Sequence, residues 1–347
     1  MSFGAGPGGL LWRDGDEAVD LSGLGGVFAE RTLNPLLAQG PLAWEEAIAA
    51  ACAHDGPRVS ISAADLVLPF DVADYVDFYS SLEHATNLGR MFRPDQEPLL
   101  PNWRWLPVAY HGRAGSVVVS GTDVVRPQGQ RKVADEDAPS FGPSRRLDFE
   151  LELGFVVGVP TELGESVPVE AFADHVFGVV LVNDWSARDI QAWEYVPLGP
   201  NLGKSFQTSI SAWVTPLALL EDARVDGPWK DPPPLRHLHG GRDWALDIAL
   251  EVELNGETVS RGNAKGLYWT MPQQLAHATS NGAPLRTGDL MASGTISGAE
   301  PGSEGSMIEL FRGGRFLEDG DEVVLRGRAA NGVELGAVRG RVLPART

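Results

Sequence analysis

From Leu66 onward the chain is a succession of short valine-rich runs, 116–120, 147–159, 176–182, 246–254, 290–293 and 322–325, separated by glycine, proline, asparagine and aspartate. Runs of that length between turn residues are strands, not helices. Patterns of helical period are few and short (81–92, 169–175 and 272–280), which excludes an alternating, doubly wound sheet. The expected class is therefore mostly β, of the α+β kind. Residues 1–69 read as a separate small unit with a glycine-rich, disordered start, a helix over 43–53 and an extended run at 58–62, and residues 70–347 as the larger domain. Two stretches, 128–143 and 224–244, read as long loops, and loops of that length in a compact domain are often lids.

Charge narrows the function classes. The chain has 28 Lys+Arg against 47 Asp+Glu, a formal charge of −19. Phosphate backbones and anionic membranes demand basic surfaces, so neither nucleic acid nor membrane is expected as a partner. The lone Cys52 excludes an internal disulfide and a cysteine zinc site. No run approaches the roughly 18 apolar residues of a membrane span, and no basic leader opens the chain. A cytoplasmic setting is expected.

Between Leu147 and Phe155 the residues alternate, so Phe149, Leu151, Leu153 and Phe155 share one face and Asp148, Glu150 and Glu152 the other. The acidic face is equally that of a solvated strand. Two glutamates at i and i+2 repel, however, and a hard cation relieves converging carboxylates. Asp184 ends the apolar run 176–182, and Asp77 precedes a helix whose start is marked by Ser80 with Glu83, a capping box. Each acid alone is also readable as a turn or cap residue, and spacing does not unite the four. His84, in the first turn of that helix, has the residue type suited to general-base work at neutral pH. Lys204, one of only four lysines, lies in a glycine-rich stretch one residue short of a phosphate loop. The formal GxGxxG at residues 4–9 follows no strand, and there is no GxSxG.

Longer strings carry more. Asp77-Phe78-Tyr79-Ser80-Ser81-Leu82-Glu83-His84, Asn183-Asp184-Trp185-Ser186-Ala187-Arg188, Trp193-Glu194-Tyr195-Val196-Pro197-Leu198-Gly199, Ser293-Gly294-Thr295 and Gly305-Ser306-Met307-Ile308-Glu309 resemble the fumarylacetoacetate hydrolase family. The likeness runs from about Asp16 to Pro344. It implies a mixed β-sandwich roll as the carboxy-terminal domain, a small SH3-like amino-terminal domain and a homodimer. It further implies Ca²⁺ or Mg²⁺ held by Asp77, Glu150, Glu152 and Asp184, His84 as base and Glu309 as the acid that orients it. Arg188, Gln191 and Lys204 correspond to the groups around the oxyanion, and Tyr79, Arg93, Tyr110, Tyr195 and Thr295 to substrate contacts. Lys204 and Thr208 also lie where the family holds a second cation, with Gln207 in place of the usual glycine. The expected lid departs from the family at 131–137. The implied reaction is hydrolysis of a carbon–carbon bond in a small diketo acid, 4-fumarylacetoacetate. A related acylpyruvate hydrolase and a non-catalytic calcium-binding protein are the alternatives.

Overall fold

The computed structural model describes residues 1–132 and 137–346. Its centre is the antiparallel pair Leu151–Val157 and Val176–Asp184, flanked by Leu290–Ala292 on one side and Thr208–Ile210 on the other. Tyr75–Phe78 pairs in parallel with Leu290–Ala292, and Val117–Val119 in parallel with Thr208–Ile210, within a mixed eight-stranded sheet. A second, five-stranded sheet is built around Ile248–Leu254, Glu322–Ala329 and Glu334–Leu343. Period-two alternation sends Leu151, Leu153 and Phe155 against Leu250, Val252, Leu325 and Val338 between the sheets. Val156, Val180 and Val182 point the other way, onto Phe3, Trp12 and Trp44 of the amino-terminal part. The central strand is thus buried on both faces, and the solvated-face alternative for the acidic side is overturned.

The glycine-rich start is ordered, contrary to expectation. Ser2–Gly6, Gly9–Asp14, Glu17–Asp20 and Arg58–Ser60 form a four-stranded antiparallel meander. Phe3 exchanges two backbone hydrogen bonds with Val214, at 2.9 and 2.7 Å. Gly4 is glycine because a Cβ there would lie 2.7 Å from the Trp213 ring. The helix of this unit spans Pro41–Ala53.

The segment 128–143 is also not a plain loop. Gln128–Arg131 and Ser140–Pro143 pair as a ribbon, and Val133–Glu136, the middle of the stretch marked above as departing from the family, lie outside the described residues. The ribbon leans on the helix Arg188–Glu194, with Trp193 Nε1 donating to Gln130 Oε1 at 3.1 Å. The segment 224–244 is irregular apart from the short strand Arg224–Val225 and two single turns of 3-10 helix.

Candidate active site

Strand register assembles the acids. Leu151 sits opposite Asn183 and Glu152 opposite Val182, so Glu150, Glu152 and Asp184 project to one side at the ends of two adjacent strands. Asp77 enters beside them because its strand pairs with Leu290–Ala292, Asp77 opposite Ala292. Each of the four carboxylates offers an oxygen within 4.8 Å of the others. All four side chains are buried, and Asp77 Oδ1 and Glu152 Oε1 have no hydrogen-bond partner among the described residues.

Such crowding has an electrostatic cost. Burial, then the charge of Asp184, pushes Asp77 well above the ordinary carboxylate range, and burial with the charge of Asp77 does the same to Glu152. Burial acts on Glu150 too, but Arg188 and Lys204 outweigh it and leave that group below the ordinary range. Lys204 Nζ donates to Asp184 Oδ2 at 2.7 Å and to Glu150. Tyr110 donates its hydroxyl to Asp184 Oδ2 at 2.7 Å and Thr208 to Asp184 Oδ1 at 3.0 Å. Two orphaned carboxylate oxygens in an all-oxygen donor set fit a hard divalent cation.

His84 stands next to this cluster, in a helix that spans Leu82–Phe92 and is capped by Ser81, whose Oγ accepts the His84 N–H at 3.2 Å. Ser80, the cap expected from sequence, instead accepts from Gln274. His84 Nδ1 lies 2.6 Å from Glu309 Oε2, which leaves Nε2 as the free ring nitrogen. Glu309 also accepts from Asn87 (2.9 Å), Ser297 (2.9 Å) and Ser306 (2.6 Å). Burial raises its pKa, yet His84, Ser306 and Asn87 overcome that and bring it down to about 2.

A cavity of about 570 Å³ opens onto these groups. It is lined by Asp77, Glu150, Glu152, His84, Arg188, Gln191 and Lys204, together with Tyr79, Arg93, Tyr110, Tyr195 and Thr295. Thr295 Oγ1 is buried without a partner among the described residues, Arg93 is tied to the Pro98 carbonyl at 2.8 Å, and Tyr195 is half-exposed at the rim. Glu309 lies behind His84, and Asp184 and Thr208 behind the lining acids, so none of these three faces the cavity. Arg188 donates Nε to Asp148 Oδ2 at 2.8 Å and Nη1 to Gln191 at 3.3 Å, and its Nη2 stands 2.7 Å from Glu150 Oε1.

Residues 74–343 match the family model described as fumarylacetoacetate (FAA) hydrolase, C-terminal. The chain belongs to the fumarylacetoacetate hydrolase family. It is 50% identical to the fumarylacetoacetase of Caenorhabditis elegans and 46% identical to that of Homo sapiens, each over 92% of this chain and 85% of the relative. Among solved structures, the fumarylacetoacetate hydrolase of Exiguobacterium antarcticum superposes with a TM-score of 0.62 at 18% identity over 99% of both chains. Maleylpyruvate hydrolase from Sphingobium sp. SYK-6, in complex with manganese (II) ion and pyruvate, gives 0.62 at 17% over 100% of both. Sequence reasoning missed Asn87, Ser297 and Ser306 around Glu309. Asn87 carried a readable signal, since it is three residues beyond His84 on the same helical face; the two serines are brought in only by tertiary contact.

Proposed function

We propose that the chain hydrolyses the carbon–carbon bond of 4-fumarylacetoacetate to fumarate and acetoacetate, the last step of tyrosine and phenylalanine degradation. The observation that carries this reading is the buried His84–Glu309 pair, open on its Nε2 side to the same cavity as four converging carboxylates. Asp77, Glu150, Glu152 and Asp184 would hold Ca²⁺ or Mg²⁺, which when bound supplies Lewis-acid polarisation of the oxygens at the acetoacetyl end. His84 Nε2 takes a proton from water as the water oxygen attacks the ketone beside the fumaryl group. Glu309 holds the imidazole in one tautomer and stabilises its protonated form. Arg188, Gln191 and Lys204 donate to the alkoxide, each well-placed donor being worth roughly 3 kcal/mol. As the carbonyl re-forms, the carbon–carbon bond breaks and the acetoacetate carbon takes the proton back from His84. Tyr79, Arg93, Tyr110, Tyr195 and Thr295 would contact substrate, with Arg93 making the cavity locally positive for its carboxylates.

A second cation beside Lys204 and Thr208 belongs to the same reading; there Lys204 would offer its carbonyl oxygen, its ammonium being engaged with Glu150 and Asp184. So do a boundary near residue 69, a homodimer and a cytoplasmic setting. The boundary is supported by an amino-terminal sheet ending at Ser60 and a family match opening at 74, the dimer by family likeness, tested by sedimentation. Among the described residues no helix is long and apolar enough to cross a membrane.

The deciding assay follows the ultraviolet absorbance of fumarylacetoacetate with purified protein, then repeats it with chelator and with His84→Ala. Absorbance should fall with the intact protein and persist in both controls. Turnover of acylpyruvates with fumarylacetoacetate left untouched would replace this substrate with the acylpyruvate class.

A further inference from the structure

Asp148 is fully buried and does not line the cavity, yet it joins the two halves of the machinery. Its Oδ1 accepts the Met307 N–H at 2.7 Å, and its Oδ2 accepts both the Ile308 N–H at 3.2 Å and Arg188 Nε–H at 2.8 Å. The first two donors open the short helix Met307–Leu310, whose third residue is Glu309. The last belongs to the first residue of the helix Arg188–Glu194. Register brings them to one point: Asp148 pairs with Ser186 and the Arg188 N–H donates to Arg146 O at 2.9 Å, so the strand that carries Asp148 delivers it beneath the guanidinium.

A carboxylate with three donors from two segments has no freedom left, and it removes freedom from both. Arginine's long side chain would otherwise explore many rotamers, and the orphan N–H groups of a buried helix start need an acceptor. Charge-assisted bonds in a dry setting are strong and directional. We propose that Asp148 is a positioning residue that fixes the Arg188 guanidinium and, through the first turn of Met307–Leu310, the Glu309 carboxylate, so that base and oxyanion donor keep a constant separation. The role assigned to the two partners rests on the hydrolase reading above.

The test uses full-length Asp148→Asn, whose amide keeps the volume but sets an N–H against one of the three donors. Displacing a catalytic group by about an ångström costs on the order of 10²-fold, so kcat should fall about 10²-fold with KM within about twofold. In an Arg188→Lys background, where only the Glu309 arm remains to be lost, the same change should cost about tenfold. A second readout needs no substrate: the downfield proton resonance of His84 Nδ1–H, assigned by its loss in His84→Gln, should shift or broaden in Asp148→Asn. A protein that fails to turn over fumarylacetoacetate therefore defeats the hydrolase reading while the resonance still decides the role of Asp148. If Asp148→Asn does not fold, Asp148→Glu, which keeps the charge but moves it by one methylene, carries the same measurements. An unmoved resonance, or an equal loss of kcat in both Arg188 backgrounds, overturns the proposal.

Discussion

Asp77 and Glu152 each keep a buried carboxylate oxygen without a hydrogen-bond partner among the described residues, a strained arrangement for a cluster of like charges. Replacing Glu152 by Gln removes one charge and keeps an acceptor for the Gly294 N–H, now 3.0 Å away. Glu152→Gln should raise the melting temperature of metal-free protein by about 2 °C or more, shrink the rise produced by added Mg²⁺ or Ca²⁺, and abolish turnover. A lower melting temperature in the metal-free state would contradict the repulsion argument. Glu309 behaves in the opposite way. Its pKa is drawn from an ordinary 4.5 to about 2, so the folded state holds the ionised form where the unfolded chain has taken up a proton. That contribution, about 3 kcal/mol, is complete above about pH 4.5 and is lost as pH falls toward 2. Urea midpoints of wild type and Glu309→Gln should therefore differ by a constant amount near neutrality and converge between pH 4.5 and 2. Turnover by Glu309→Gln at pH 7 should drop on the order of 10³-fold. At this scale the sequence is informative about residue type and weak about grouping. Glu150 and Glu152 were readable as neighbours from alternation alone, whereas Asp184 becomes their partner only through the pairing of Leu151–Val157 with Val176–Asp184, and Asp77 and Glu309 only through contacts more than 200 residues apart or through the family likeness.

The elements that position the site are held by small local choices. Ser81 accepts the His84 N–H at 3.2 Å and donates to the Ser297 carbonyl at 3.1 Å. Ser81→Ala should cost about 1 kcal/mol of stability, read as a lower urea midpoint. The sequence pattern offered Ser80 because Glu83 follows it by three; tertiary contact with Gln274 turns Ser80 inward and passes the cap to the next residue. Gly4→Ala places a methyl against the Trp213 ring and should cost about 2 kcal/mol, also measurable as a urea midpoint, with kcat unchanged. The apolar strands over 147–159, 176–182 and 290–293 were legible because both faces are packed. Several elements were not, among them the amino-terminal strands and the 128–143 ribbon, and three further cases have a visible reason. Glu257–Asn263, an edge strand, has Val259 as its one apolar residue, and Glu334–Leu343 is broken in pattern by Gly336 and Gly340, the latter needed because a Cβ would meet the Trp185 ring at 2.7 Å. The helix Arg188–Glu194 has no side-chain cap at its start and only one buried apolar residue, Ile190.

At the level of the whole molecule, a net charge of −19 surrounds a cavity into which Arg93, Arg188 and Lys204 reach. Saturating a resident cation to about 100 times its Kd adds about 2.7 kcal/mol to stability. Chelation should therefore lower the melting temperature and Mg²⁺ or Ca²⁺ restore it, with the chelator having no effect on Asp77→Asn/Asp184→Asn. The two sheets and the amino-terminal meander share one central strand pair, so these parts should unfold in a single transition. The parallel pairing of Tyr75–Phe78 with Leu290–Ala292 has a consequence for biosynthesis. On the ribosome, the acids at 77, 150, 152 and 184 emerge long before the strand that seats the first of them and the glutamate that orients the histidine. A nascent polypeptide therefore carries every ligand from residue 184 onward while having no working centre until residue 309 has emerged. Catalysis begins abruptly, once Leu290–Ala292 and Glu309 have emerged, and a message cut short upstream of residue 309 yields no partially competent enzyme.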